Sequence, residues 1–169
     1  MGPTKIGGLP AHILLVHLAV VAIPLAALLT VLSAVWPAAR AKLGFITPLV
    51  ALGALIVVPI TTHAGEWLED RVTPSPLIAR HVHLGHELLP WAIGLFLVSA
   101  GEWIWFRRRE SRPEPVPNGN VRAGGLATAG VLTVLALAVS VGSVVQIYRV
   151  GESGSRAVWT GSFSATAHK

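Results

Sequence analysis

The sequence predicts an all-α protein, an integral membrane four-helix bundle with antiparallel up-down topology. Three observations carry that expectation. Of 169 residues, 53% are hydrophobic and 12% are charged, where a soluble domain carries roughly 25% charged residues. The mean hydropathy is +0.65. Four apolar runs, each long enough to cross a hydrocarbon layer of about 30 Å, follow one another along the chain. The length suits one domain, and a single four-span membrane domain is expected over residues 1–169.

The first span is expected at about 9–35, opened by Pro10 and closed by Trp36-Pro37. It is longer than the apolar core of a secretory signal and lacks a small-residue cleavage site after it, so it reads as a retained helix. The second, at about 43–66, follows Arg40 and Lys42 and meets no charge before Glu66. The third, at about 77–106, carries Arg80, Glu87 and Glu102, but its stretch from Leu88 to Ala100 is apolar, and Trp91, Trp103 and Trp105 suit membrane boundaries. Pro113, Pro115 and Pro117, followed by Asn118-Gly119-Asn120, mark an irregular exposed loop. The fourth span is expected at about 124–149, followed by a turn at Gly151-Glu152-Ser153-Gly154 and an exposed tail over 150–169.

Charge orients the bundle. Arg40, Lys42, Arg107, Arg108, Arg109, Arg112 and Arg122 flank the loops after the first and third spans. The positive-inside rule places those loops in the cytoplasm and both termini on the extracytoplasmic side. The net charge of +5 is thus distributed as topology signals and lipid-phosphate contacts, and no nucleic-acid-binding fold is read. The chain has no cysteine, and its one methionine is Met1. Disulfides, iron–sulfur ligation, thiolate metal sites and internal thioether ligands are therefore excluded, leaving nitrogen and oxygen as donors.

Seven histidines are the anomaly in so apolar a chain. His12 and His17 open the first span, His63 closes the second, and His81, His83 and His86 open the third. Because successive helices alternate direction, all six fall in one half of the bilayer, with Glu66, Gln146, Arg149 and Glu152. His168 lies in the tail. A polar cluster inside a membrane is costly without partners and marks a candidate site, although a single histidine near a helix end can simply reach interfacial water.

Helical register ranks the six. His12, Ala19, Ala26 and Ser33 repeat every seven residues, and His81 shares a face with Gly85, Ala92 and Ser99, so both histidines are expected to point into the bundle along small-residue seams. His17 lies about 140° around the helix from His12, and about 12 Å below the helix start, so its burial needs a partner. His83, His86 and Glu87 are expected at the interface. Thr62, His63 and Glu66 share a face below Pro59, and Thr133, Ala136, Ser140, Ser143 and Gln146 form the seam of the fourth helix.

Two inward histidines from facing helices are a common way to hold haem, each ligating iron through a ring nitrogen. Without a C-x-x-C-H motif, such a haem is b-type and non-covalent. Arg149 and Glu152 are candidates to pair with its propionates or with each other. The competing chemistry is a divalent transition metal, zinc, copper(II) or iron, held by His12, His17 or His81 with Glu66 or Glu152. No H-E-x-x-H, Ser-His-Asp elbow, phosphate loop or dinucleotide fingerprint is present. A third reading is a cofactor-free structural or partner-binding subunit with a pH-dependent histidine contact.

Gly8-Leu9-Pro10-Ala11-His12 through Leu15-Val16-His17, Thr61-Thr62-His63-Ala64-Gly65-Glu66-Trp67-Leu68-Glu69, Leu88-Leu89-Pro90-Trp91-Ala92 and Tyr148-Arg149-Val150-Gly151-Glu152-Ser153-Gly154 with Trp159 resemble, over essentially the whole chain, a family of small four-span bacterial inner-membrane proteins catalogued as a domain of unknown function. The resemblance implies that His12, His17 and His81 match family histidines, whereas His63, His83 and His86 do not. Relatives joined to Rieske-type or cytochrome-like modules imply a respiratory electron-transfer setting and haem; this chain carries no such module.

The expectation is therefore a b-type haem-binding electron-transfer protein with a His-rich extracytoplasmic-side site at His12, His17 and His81. Its expected partners are the lipid bilayer, with a quinone, a respiratory redox partner or a second copy of the chain.

Overall fold

The computed structural model describes residues 4–111 and 119–162, the side chains of 119–123 excepted. Among these residues six helices and one short hairpin form: β1 Lys5–Ile6, β2 Leu9–Pro10, α1 Ala11–Val35, α2 Pro37–Leu43, α3 Ile46–Glu69, α4 Pro76–His86, α5 Leu88–Glu110 and α6 Gly119–Trp159. Four helical segments are long and apolar enough to cross a membrane: Ala11–Val35, Ile46–Glu69, Pro76–Glu110 and Gly124–Trp159. The all-α membrane bundle expected from the sequence is the observed architecture. Pro113, Pro115, Pro117 and His168 lie outside the described residues.

α1 packs on α3 and α6, and α5 packs on the same two helices, so α1 and α5 stand at opposite corners of the bundle. Its middle is filled by Ile23, Ala26, Ala27, Ala51, Ala54, Val58, Leu88, Ala92, Leu95 and Ile147. Small side chains face inward while Leu28, Leu97, Val134 and Val141 face outward, the reverse of a soluble core and the arrangement expected where lipid takes the place of water. The seam residues Ala19, Ala26 and Ser33 are buried, as are Ala92 and Ser99, and Ala136, Ser140, Ser143 and Gln146. Ser140 Oγ donates to the Ala27 carbonyl at 3.2 Å across the α1–α6 contact.

Three features differ from the sequence expectation. The third span is divided at Glu87 into α4 and α5. Pro90 explains the break: it has no N–H to give the His86 carbonyl, and its ring crowds that turn. The fourth helix does not turn at Gly151 but runs on to Trp159, because packing of this segment against α4 overrides the weak helix propensity of Gly151 and Gly154. The tail thus begins a helical turn or more beyond residue 150. Finally, the N-terminus forms an antiparallel hairpin, Lys5 opposite Pro10 and Ile6 opposite Leu9. Gly7 and Gly8, at φ 58° and 82°, supply the two left-handed residues that a tight two-residue hairpin needs.

α4 begins with a strong local signal. Ser75 Oγ accepts the Ile78 N–H at 3.2 Å and Pro76 occupies the first turn, a capping arrangement that fixes where the helix starts and hence the phase of His81.

Candidate functional site

The starts of α1 and α4 and the ends of α3 and α6 meet at one end of the bundle. His12 of α1 and His81 of α4 meet there with ring centroids 6.0 Å apart and planes inclined at 79°. Each ring is held in the same way. His12 Nδ1 lies 3.0 Å from the Thr61 carbonyl of α3, and a carbonyl only accepts, so this nitrogen carries the proton. The ring lies over Gly65, where a Cβ would fall 2.9 Å from Nδ1. His81 Nδ1 lies 3.1 Å from the Val150 carbonyl and 3.1 Å from Ser153 Oγ on α6, and the ring rests on Gly154, whose Cβ would fall 3.0 Å from Cε1. In both cases the accepting carbonyl lies four residues before the glycine, so one helical turn supplies both the acceptor and the space.

Anchoring through Nδ1 leaves Nε2 as the lone-pair nitrogen of each neutral ring. Among the described residues, neither Nε2 has a hydrogen-bond partner. The backbone contacts thus select the tautomer and restrain both rings, the role that second-shell carbonyls play for metal-ligating histidines.

The other expected donors go elsewhere. His17 faces outward and its Nδ1 turns back to the Ile13 carbonyl of its own helix at 2.7 Å, so it does not join His12 and His81; its position around the helix takes it to the lipid face. Glu66 is exposed and bridges His63 at 3.7 Å and His86 at 3.3 Å. Glu152 pairs with Arg156 one turn later, at 2.8 Å, rather than with Arg149, whose Nη1 donates to Gln146 Oε1 at 3.4 Å. The donor set His12, His17, His81, Glu66 and Glu152 is therefore not assembled around one point. Among the described residues no group of three or more histidine, aspartate or glutamate side chains is placed to hold a metal ion.

Further polar contacts lie at the same end of the bundle. His83 contacts Glu87 at 3.2 Å, and Gln146 Nε2 donates to Glu87 Oε2 at 3.2 Å and to the Leu84 carbonyl at 2.9 Å. The Leu84 bond lies beside the helix break and ties α4 to α6. Lys5 of the hairpin lies 5.5 Å from the Trp67 ring centroid and Arg71 lies 4.0 Å from it, cation–π contacts suited to a membrane boundary.

The helical register points His12 and His81 inward, and the structure brings the two rings together; the register does not say what holds them. Gly65 and Gly154 were the available signals, each at the end of an apolar helix and each followed by glutamate or serine rather than a turn. Glu102 is likewise read only as a charge in the third span, although its place three residues after the seam residue Ser99 puts it on the inward face.

No curated protein and no solved structure matches this chain. The family model described as Predicted membrane protein (DUF2231) matches residues 8–167, a range that takes in all four apolar helices and both histidines of the pair. With that match spanning nearly the whole sequence, the chain belongs to this family of membrane proteins.

Proposed function

We propose that the protein binds a b-type haem through His12 and His81 and passes electrons to or from a quinone or a respiratory redox partner. The observation that carries this reading is the pair itself. Two imidazoles ligating one ion from opposite sides, with metal–nitrogen bonds of about 2 Å, place their centroids about 6 Å apart; the rings here are 6.0 Å apart.

Donor count favours haem over a bare metal ion. A zinc or copper site takes three or four protein donors, whereas a haem brings four nitrogens of its own and asks the protein for two. When bound, haem supplies a one-electron couple. The chain's own residues set its conditions: Thr61 and Val150 carbonyls fix the ligating tautomer, and Gly65 and Gly154 let the rings lie close to the helices. Helix ties through His12 and His81 alone are the competing, cofactor-free role.

On the sidedness assigned by the positive-inside rule, the pair lies toward the extracytoplasmic face of a bacterial inner membrane. The test is a reduced-minus-oxidised visible spectrum, with haem extraction, on detergent-purified protein expressed with ample haem. The expected result is sharp six-coordinate b-type bands at one haem per chain. Protein that is folded and free of haem under those conditions contradicts the reading and leaves the helix ties as the role of the two histidines.

A further inference from the structure

At the opposite end of the bundle lies a group that the histidine site does not use. Glu102 of α5 is 1% exposed, and neither carboxylate oxygen has a hydrogen-bond partner among the described residues. It borders a cavity of about 180 Å³ whose wall also includes Ser33 of α1, Arg40 of α2, Thr47 of α3 and Ser99 and Phe106 of α5.

Several of the nearby donors are engaged elsewhere, and none bonds to Glu102. Arg40 Nε donates to the Ser33 carbonyl at 2.8 Å and Nη2 to the Ala34 carbonyl at 3.3 Å. Its guanidinium carbon lies 3.2 Å from the Phe106 ring centroid. Among the described residues no ion pair joins Arg40 to Glu102. Ser33 Oγ and Thr47 Oγ1 bond to each other at 3.0 Å, and Ser99 Oγ donates to the Phe96 carbonyl at 2.9 Å. An ionised carboxylate left in such surroundings is strongly unfavourable, whereas a carboxylic acid is not.

The wall also limits what can bind. A metal cation or an ammonium would meet Arg40 and Arg107, and an anion would meet Glu102 and Glu110. Water fits, at about 10–15 Å³ of such volume per molecule, so the cavity has room for several. The charged groups on the wall are Arg40 from α2 and Arg107, Glu102 and Glu110 from α5; α1 and α3 present Ser33 and Thr47, and no charged side chain of α6 lines it among the described residues.

From this geometry we propose that Glu102 is a proton-binding site served by water from the arginine-rich end of the bundle. The carboxylate oxygen takes a proton delivered from bulk hydronium and relayed by water in the cavity, becoming the neutral acid and leaving water behind, and returns it by the same route; no electron and no other group moves. The site is independent of the haem reading. Twenty-one residues separate Ser33 from His12 along α1, about 30 Å at the helical rise.

Infrared spectra of the detergent-solubilised protein in H₂O and D₂O test this, alongside dicyclohexylcarbodiimide labelling with peptide mapping. The reagent adds a protonated carboxyl across its C=N bond, and its apolar character directs it to membrane sites. The expected result is a carboxylic-acid carbonyl band at neutral pH that shifts in D₂O and is absent from Glu102→Gln, with an adduct on Glu102 and none on Glu110. Labelling is read on the unaltered chain, so it decides even if Glu102→Gln does not fold. A band that persists in Glu102→Gln, a band that does not shift in D₂O, or an unlabelled Glu102 overturns the proposal. None of these readouts uses haem, so failure here and failure of the haem reading are separate results.

Discussion

At the histidine end, His12 and His81 each give an N–H to a carbonyl on a neighbouring helix and lie against a glycine cut to fit them. At the arginine end, Glu102 is among the most deeply buried side chains and bonds to no described residue. Both ends place ionisable groups where lipid surrounds the protein, and the difference lies in commitment. Rings pinned by backbone have a fixed direction and a free nitrogen, which suits ligation. A carboxyl beside a wet cavity has no fixed partner, which suits exchange of a proton. Buried polarity in a membrane bundle thus has two stable outcomes: satisfied within the protein, or satisfied by what enters.

Removing a ring has the largest expected effect. His12→Ala and His81→Ala should each abolish the six-coordinate haem spectrum, and His17→Ala should leave it intact because that ring bonds within its own helix. Visible spectra of the three variants purified in parallel check this, and loss of the bands in His17→Ala would break the assignment of the pair.

Filling the space beneath a ring comes next. Gly65→Val and Gly154→Val put a Cβ about 3 Å from His12 and His81 respectively. Overpacking of this kind costs about 1–3 kcal/mol, read as a lowered unfolding temperature together with reduced haem content. Gly85, also helical, has nothing within 4 Å of a built Cβ, so Gly85→Val is the matched control and should lower neither the unfolding temperature nor the haem content.

Two smaller effects sharpen the contrast between the ends. Ser153→Ala removes one of the two acceptors of His81 Nδ1 and should cost about 0.5–1.5 kcal/mol in chemical denaturation, with haem retained through the Val150 carbonyl. Glu102→Gln replaces an acid by a neutral group of the same shape and should change stability at neutral pH by less than about 1 kcal/mol. A loss of several kcal/mol there would mean that Glu102 is ionised and held by Arg40. Burial holds the proton affinity of the Arg40 guanidinium below its ordinary value, and an ionised Glu102 would oppose that, so that cation is the one such a loss would implicate.

The fold was largely legible because each determinant is a run or a period. Apolar length marks the four spans, and the seven-residue spacing of small residues identifies the inward faces of α1, with His12, and of α5; His81 lies across the break at Glu87, on α4. What escaped was decided by contacts between distant segments. Nothing local to Gly151-Glu152-Ser153-Gly154 says helix; the segment is helical where α4 packs against it, with His81 resting on Gly154. His17 looked buried by depth, but depth along a helix says nothing of which side it faces, and its own Ile13 carbonyl satisfied it. Glu152 looked like a ligand until its partner one turn on, Arg156, took it. The break at Glu87 and the hairpin at Gly7-Gly8 had readable signals, a proline three residues after Glu87 and a pair of glycines between two short extended segments, that the dominant hydropathy pattern obscured.

The most direct test of the histidine pair is electron paramagnetic resonance of the oxidised, haem-loaded protein. His12 and His81, whose rings stand 79° apart, would hold the iron between near-perpendicular imidazoles and so would give a strongly anisotropic low-spin ferric signal, which is the expected result. A high-spin ferric signal, or no haem iron in folded protein, would contradict ligation by His12 and His81.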